Sequence, residues 1–347
     1  MLEEDDSAHR QREEQEETAF LRRIQPELDQ MEIVRQVKRD AQDWRQKMIW
    51  PIGAAVLACT LVLDYLLMKG LCAPGMFHCR SSGFPLPVLT LIAGCGLWIW
   101  ANRPKDDYVR IYKENIIPRI AQMAGLTHYD PAGKLPLSDM RDSRILPGYE
   151  YYDSEDYFEG AYKGARIRFA QVKFSKSQRR YVSRYDRRRY DTITVFQGIA
   201  LLIGLPQPAF QGHTILIRNA SAFGEWMTGI FSGLQKTELA APGLESVYTA
   251  FTSSPAEAAR LLDREMLRRV MRLSEVFASK GVSLAFFRGQ VFALVASDKN
   301  FFEPGGVNVS ATNLQAVRDI RREVGQVMGL IDYLQVLAPA SVAEAAP

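Results

Sequence analysis

Two clusters in this chain carry residue types that could do chemistry. Tyr149 to Gly160 (YEYYDSEDYFEG) sets Asp153, Glu155, Asp156 and Glu159 among tyrosines, and closely spaced carboxylates can ligate a hard cation. The spacing is not that of an EF-hand loop and lacks its glycine and terminal glutamate, so no metal is expected. Two readings remain open: the aromatics pack under a sheet while the acids stay solvated, or Tyr151, Tyr152, Asp153, Glu155 and Asp156 form a partner surface. The second cluster is basic: Lys173, Lys176, Arg179, Arg180, Arg184, Arg187, Arg188 and Arg189 stand against Asp186, with Tyr181, Tyr185 and Tyr190 interleaved. Such a run is a solvated hairpin tip, an anionic-lipid contact, or a stacking and phosphate-binding surface for nucleic acid. A formal charge of only +3 over 347 residues argues against the last, and nucleic acid is not expected as a partner.

No further constellation suggests catalysis. The four histidines, His9, His78, His128 and His213, form neither an HExxH motif nor a zinc-ligand pair, and there is no nucleophile elbow, P-loop or dinucleotide fingerprint. No cofactor is expected. His213, at a strand start, reads as a surface or capping imidazole. Cys72 and Cys79 are a candidate disulfide or two free thiols; their spacing is half a metal site, without a second pair to complete it.

The elements that must position these groups begin with two apolar runs, 48–68 and 84–101. Each approaches the ~30 Å of a bilayer core at ~1.5 Å per helical residue, so a transmembrane helical hairpin is expected. Lys and Arg flank the outer ends of both runs, which places both termini in the cytoplasm and the Cys72/Cys79 loop outside. Trp44, Trp50, Trp98 and Trp100 read as an interfacial belt, and Asp64 as a carboxylate snorkelling to the headgroups.

Residues 1–25 are charged and expected to be disordered, and 26–47 form an amphipathic helix carrying Leu28, Met31, Val34, Ala41 and Trp44 on one side. Residues 106–338 have the composition of a globular domain, and 339–347 are an Ala/Pro-rich tail. A helix is expected at about 107–124. Strands are expected at 165–174, 192–205, 214–218 and 247–252, followed by a helix from Ser254 to about Lys280. Val282–Phe287 and Gln290–Ser297 read as a hairpin around Arg288-Gly289, and a last helix covers 311–337. The fold class is α+β with a mainly antiparallel sheet.

The order YKENIIPRIAQMAG, SEDYFEGAYKGARIRFAQV, TVFQGIALLIGLPQPAFQGHTILI and FFRGQVFALV with FFEPG resembles the bacterial membrane-protein family catalogued as domain of unknown function 3137, over about 108–337. The resemblance implies a cytoplasmic α+β domain on a membrane hairpin and brings no catalytic residues. The function expected is a membrane-anchored cytoplasmic interaction or scaffold module of a bacterial envelope process, multi-pass in the inner membrane. Its expected partners are membrane lipids and a protein or a second copy. The alternatives are a membrane-associated enzyme of unrecognised type, or a lipid or nucleic-acid sensor acting through 173–189.

Overall fold

A computed structural model describes residues 2–71, 86–162, 164–180, 189–205, 210–218, 233–240, 244–276 and 280–336. The chain divides into two compact units: residues 1–115 with 304–314, and 116–303 with 315–347.

The first unit is built on two helices, α1 (Leu2–Leu71) and α2 (Leu86–Asn115). They run antiparallel. Trp44 meets Trp100 edge-on at 6.1 Å between ring centroids, Arg45 Nη1 donates to the Trp100 carbonyl at 2.8 Å, and Lys38 Nζ pairs with Asp107 at 3.1 Å. Trp44 and Trp100 are thus packing partners across the two helices. Pro26, expected at a helix start, lies inside α1 together with Pro51.

The structure does not bear out the expected transmembrane hairpin. Among the described residues, no helix is long and apolar enough to cross a membrane. Within α1 the uncharged stretch that begins at Met48 is broken at Asp64. It comes to ~24 Å at ~1.5 Å per residue, short of a ~30 Å hydrocarbon core. The multi-pass inner-membrane placement, with both termini cytoplasmic, is overturned with it. Cys72 and Cys79 lie outside the described residues.

Among the described residues the second unit carries a nine-stranded antiparallel sheet in the order β1-β2-β3-β4-β9-β8-β5-β7-β6. Its strands are β1 (Leu126–Asp130), β2 (Tyr151–Tyr162), β3 (Ala165–Arg180), β4 (Arg189–Gly204), β5 (Thr214–Arg218), β6 (Gln235–Thr237), β7 (Tyr248–Thr252), β8 (Gly281–Phe287) and β9 (Gln290–Ala296). The helical segments are α3 (Ile117–Met123), α4 (Leu137–Arg141), α5 (Pro255–Leu261), α6 (Arg264–Val276) and α7 (Leu314–Val336). Mixed helix and antiparallel sheet is thus what the α+β expectation retains.

Helix boundaries follow local chemistry. The helix expected at 107–124 is two, because Pro118 has no N–H to continue the ladder and instead occupies the first turn of α3. The long helix expected after Ser254 also divides. Leu262 leaves helical geometry, and the Asp263 carboxylate caps α6 by accepting the Met266 N–H at 2.7 Å. The β8–β9 turn lies where expected: Arg288 and Gly289 have φ of 48° and 70°, the pair of positive values a two-residue type I′ turn requires.

One face of the sheet buries Val172, Phe174, Phe196, Leu202 and Phe292 with Leu135 and Met140. Tyr149 and Tyr152 pack their rings against Phe174 at 4.9 and 5.1 Å between centroids. Phe169, of opposite parity on β3, stacks on Phe158 at 4.5 Å, and Phe302 closes against both.

Candidate functional site

Alternation along β3 (ARIRFAQVKF) turns Val172 and Phe174 to the core and Gln171 and Lys173 to the other face. Register then sets Asp153 opposite Lys173 and Glu155 opposite Gln171 on β2, with Gln197 of β4 beyond Lys173. Together with Asn300 these side chains line a cleft of about 400 Å³.

The anchor of the cleft is Gln171, only 6% exposed. Its Nε2 donates to Glu155 Oε1 at 2.9 Å and to Asn300 Oδ1, while its Oε1 accepts the Phe301 N–H at 2.9 Å. The segment after β9 is held a second time, by the buried Glu323 of α7, which accepts the Phe302 N–H at 3.1 Å and pairs with Lys299. Phe302 has φ of 58°, a conformation that costs a bulky residue about 1–3 kcal/mol and persists only where its surroundings over-determine it.

A bulge lies between Glu155 and Phe158. The extra residue changes parity, so Phe158 shares a face with Asp153 and Glu155, and Asp156 turns inward with φ of 52°. Asp156 is fully buried and accepts the Tyr129 hydroxyl at 2.5 Å. Burial first, and then the Asp156 charge, push the Tyr129 phenol far above its usual range.

The acidic cluster is therefore divided. Tyr151, Asp153 and Glu155 are exposed, while Tyr152 is half-buried with its hydroxyl donating to the Leu135 carbonyl at 2.7 Å and Asp156 is internal. Gln171, Gln197 and Asn300 escaped notice because they are scattered along the chain. The detectable signal was a glutamine within the apolar alternation of β3.

The basic segment lies at the far end of the β3–β4 hairpin. Past Ser175, β3 pairs with β4 alone among the described strands, as Lys176↔Ile193, Gln178↔Asp191, Arg179↔Tyr190 and Arg180↔Arg189. Lys173 and Lys176 are exposed. Arg184, Arg187 and Arg188 fall outside the described residues. His213 is half-buried, its Nε2 3.1 Å from the Ser143 carbonyl oxygen and its ring stacked on Phe287. Among the described residues no group of three metal-ligating side chains converges.

No curated protein and no solved structure matches the chain. A family model does match, described as Protein of unknown function (DUF3137), across residues 194–336. That stretch runs from within β4 to the end of α7, and over it the resemblance read from the sequence holds.

Proposed function

We propose that this protein is an interaction module that engages an acidic surface of a partner protein through the basic β3–β4 ribbon. The observation that carries the reading is the register pair Arg180↔Arg189 at the end of a two-stranded extension. Cations at paired register positions are unfavourable for a strand pair, and an acidic partner surface offsets that cost. Lys176 and Arg179 extend the same charge along the ribbon. A net charge of +3 over the whole chain favours a local acidic patch over the broad basic field that nucleic acid calls for.

The test is surface binding of the full chain to poly-glutamate, to anionic vesicles and to duplex DNA, at low salt and at about 0.15 M. Poly-glutamate should bind in a salt-sensitive way. Replacing Arg179, Arg180, Arg187, Arg188 and Arg189 with Ser should weaken that binding by at least about tenfold, or ~1.4 kcal/mol. Retention by vesicles or DNA without poly-glutamate, or binding that the substitutions leave unchanged, would overturn the reading.

A further inference from the structure

Asp153 and Lys173 face one another directly across β2 and β3, a position where opposite charges ordinarily close into an ion pair. They do not. Among the described residues no ion pair or hydrogen bond joins either side chain to a partner, and both open into the same cleft of about 400 Å³. That volume lies in the range of small-molecule sites.

The cleft is also built. Gln171, 6% exposed, fixes Glu155 from one side and Asn300 from the other, and its own carbonyl oxygen is held by the Phe301 N–H. The walls therefore present two carboxylates, one ammonium and three carboxamides, and of these Glu155, Gln171 and Asn300 are already held by hydrogen bonds before a ligand arrives. Such a lining suits a molecule carrying both signs of charge.

We propose that this cleft binds a small zwitterion of the α-amino-acid class. The ligand's ammonium lies against Asp153 and Glu155, its carboxylate against Lys173, and Gln197 and Asn300 contact the remainder. Because the lining has one more negative than positive charge, an amino acid with a second amine is the best match. The site is independent of the ribbon's arginines.

The experiment is calorimetric titration of the full chain with L-lysine, L-alanine and the carboxylate-free diamine putrescine, on the wild type and on Lys173→Gln, Asp153→Asn and Gln197→Ala. Thermal melting serves as the folding control. Both zwitterions should bind saturably, lysine more tightly than alanine and putrescine less tightly than lysine. Lys173→Gln should weaken the zwitterions by about tenfold, ~1.4 kcal/mol, and leave putrescine binding no weaker; Asp153→Asn should weaken all three. Gln197→Ala, which alters no charge, should weaken the zwitterions while the protein melts as the wild type does. Absence of saturable zwitterion binding, tighter binding of putrescine than of lysine, or zwitterion binding indifferent to Lys173→Gln would overturn the proposal.

Discussion

Glu32 and Arg35, one turn apart on α1, form a two-pronged ion pair, Arg35 Nε to Glu32 Oε2 at 2.9 Å and Nη2 to Oε1 at 2.6 Å. Both also hold the 304–314 segment. Glu32 Oε2 accepts the Ala311 N–H at 2.8 Å and the Ser310 hydroxyl at 3.0 Å, and Arg35 Nη1 donates to the Val307 carbonyl at 2.6 Å. Arg35 is 7% exposed, so the guanidinium depends on these acceptors for what water no longer supplies.

Arg35 and the donors of 310–311 hold the Glu32 carboxyl down to about 2, from 4.5. A lowered carboxylate stabilises the fold above the unfolded value and loses that contribution as pH falls from ~4.5 toward ~2. Glu32→Gln should therefore cost about 2 kcal/mol at neutral pH and show a shallower loss of stability on acidification. Urea midpoints measured across that pH range decide it; parallel curves would remove Glu32 from the acid response.

A side chain at position 198 should disrupt the joint between β4 and β9. A Cβ there would stand 2.0 Å from the Val295 carbonyl oxygen, on a backbone with φ of +150°, and backbone cannot yield as a side-chain tip can. Gly198→Ala is expected to cost more than about 2 kcal/mol, whereas Gly204→Ala, where the nearest atom lies 3.8 Å away, should change stability by less than about 0.5 kcal/mol. Denaturant titration of the two variants side by side makes the comparison.

Burial lowers the His213 imidazole below its ordinary 6.5, with Arg144 and Arg288 acting in the same direction and the Ser143 carbonyl and Asp142 opposing. The unfolded chain then takes up a proton that the folded one refuses. The stability attributable to His213 is complete above ~6.5 and declines as pH falls from there toward the folded value. His213→Gln, which keeps a donor for Ser143, should lose less stability than the wild type between about pH 7.5 and 5.5, as read by thermal melting. An equal loss would show that the imidazole stays neutral or paired throughout.

Tyr129→Phe leaves the buried Asp156 carboxylate without its 2.5 Å donor. Removing one partner of a buried charged hydrogen bond exposes the desolvation cost of the other, about 2–3 kcal/mol. The expected readout is a lower urea midpoint that Asp156→Asn in the same background partly restores, since a neutral amide loses less on burial. A double variant no more stable than Tyr129→Phe would place the hydroxyl's value elsewhere.

Period-two alternation and the Arg288-Gly289 turn made β3, β4, β5, β7, β8 and β9 legible before any coordinates. The stretch that became β2 was not legible as a strand. Its bulge at Asp156 breaks the alternation that would have announced it, and four acids in twelve residues look like a solvated segment. The apolar run of α1 misled in the opposite direction, because residue-type hydropathy registers a run without measuring its uninterrupted helical length, which Asp64 ends. The cleft needed Gln171 and Asn300 brought together from 129 residues apart, a relation carried by sheet register and invisible to motif spacing. The ribbon's charge, by contrast, was plain in the sequence, and only its pairing had to be seen.

The split composition of the first unit has a consequence in time. Its helices end at Asn115, yet the segment that Glu32 and Arg35 grip begins at Pro304. At ~5–20 residues per second, the ribosome delivers that segment roughly 10–40 s after α2 has left. For that interval Arg35 lacks its Val307 acceptor and Glu32 its Ala311 donor. A chain truncated before residue 304 would remain in that condition permanently, so a stop codon anywhere in the sheet leaves the N-terminal helices as incomplete as the sheet itself.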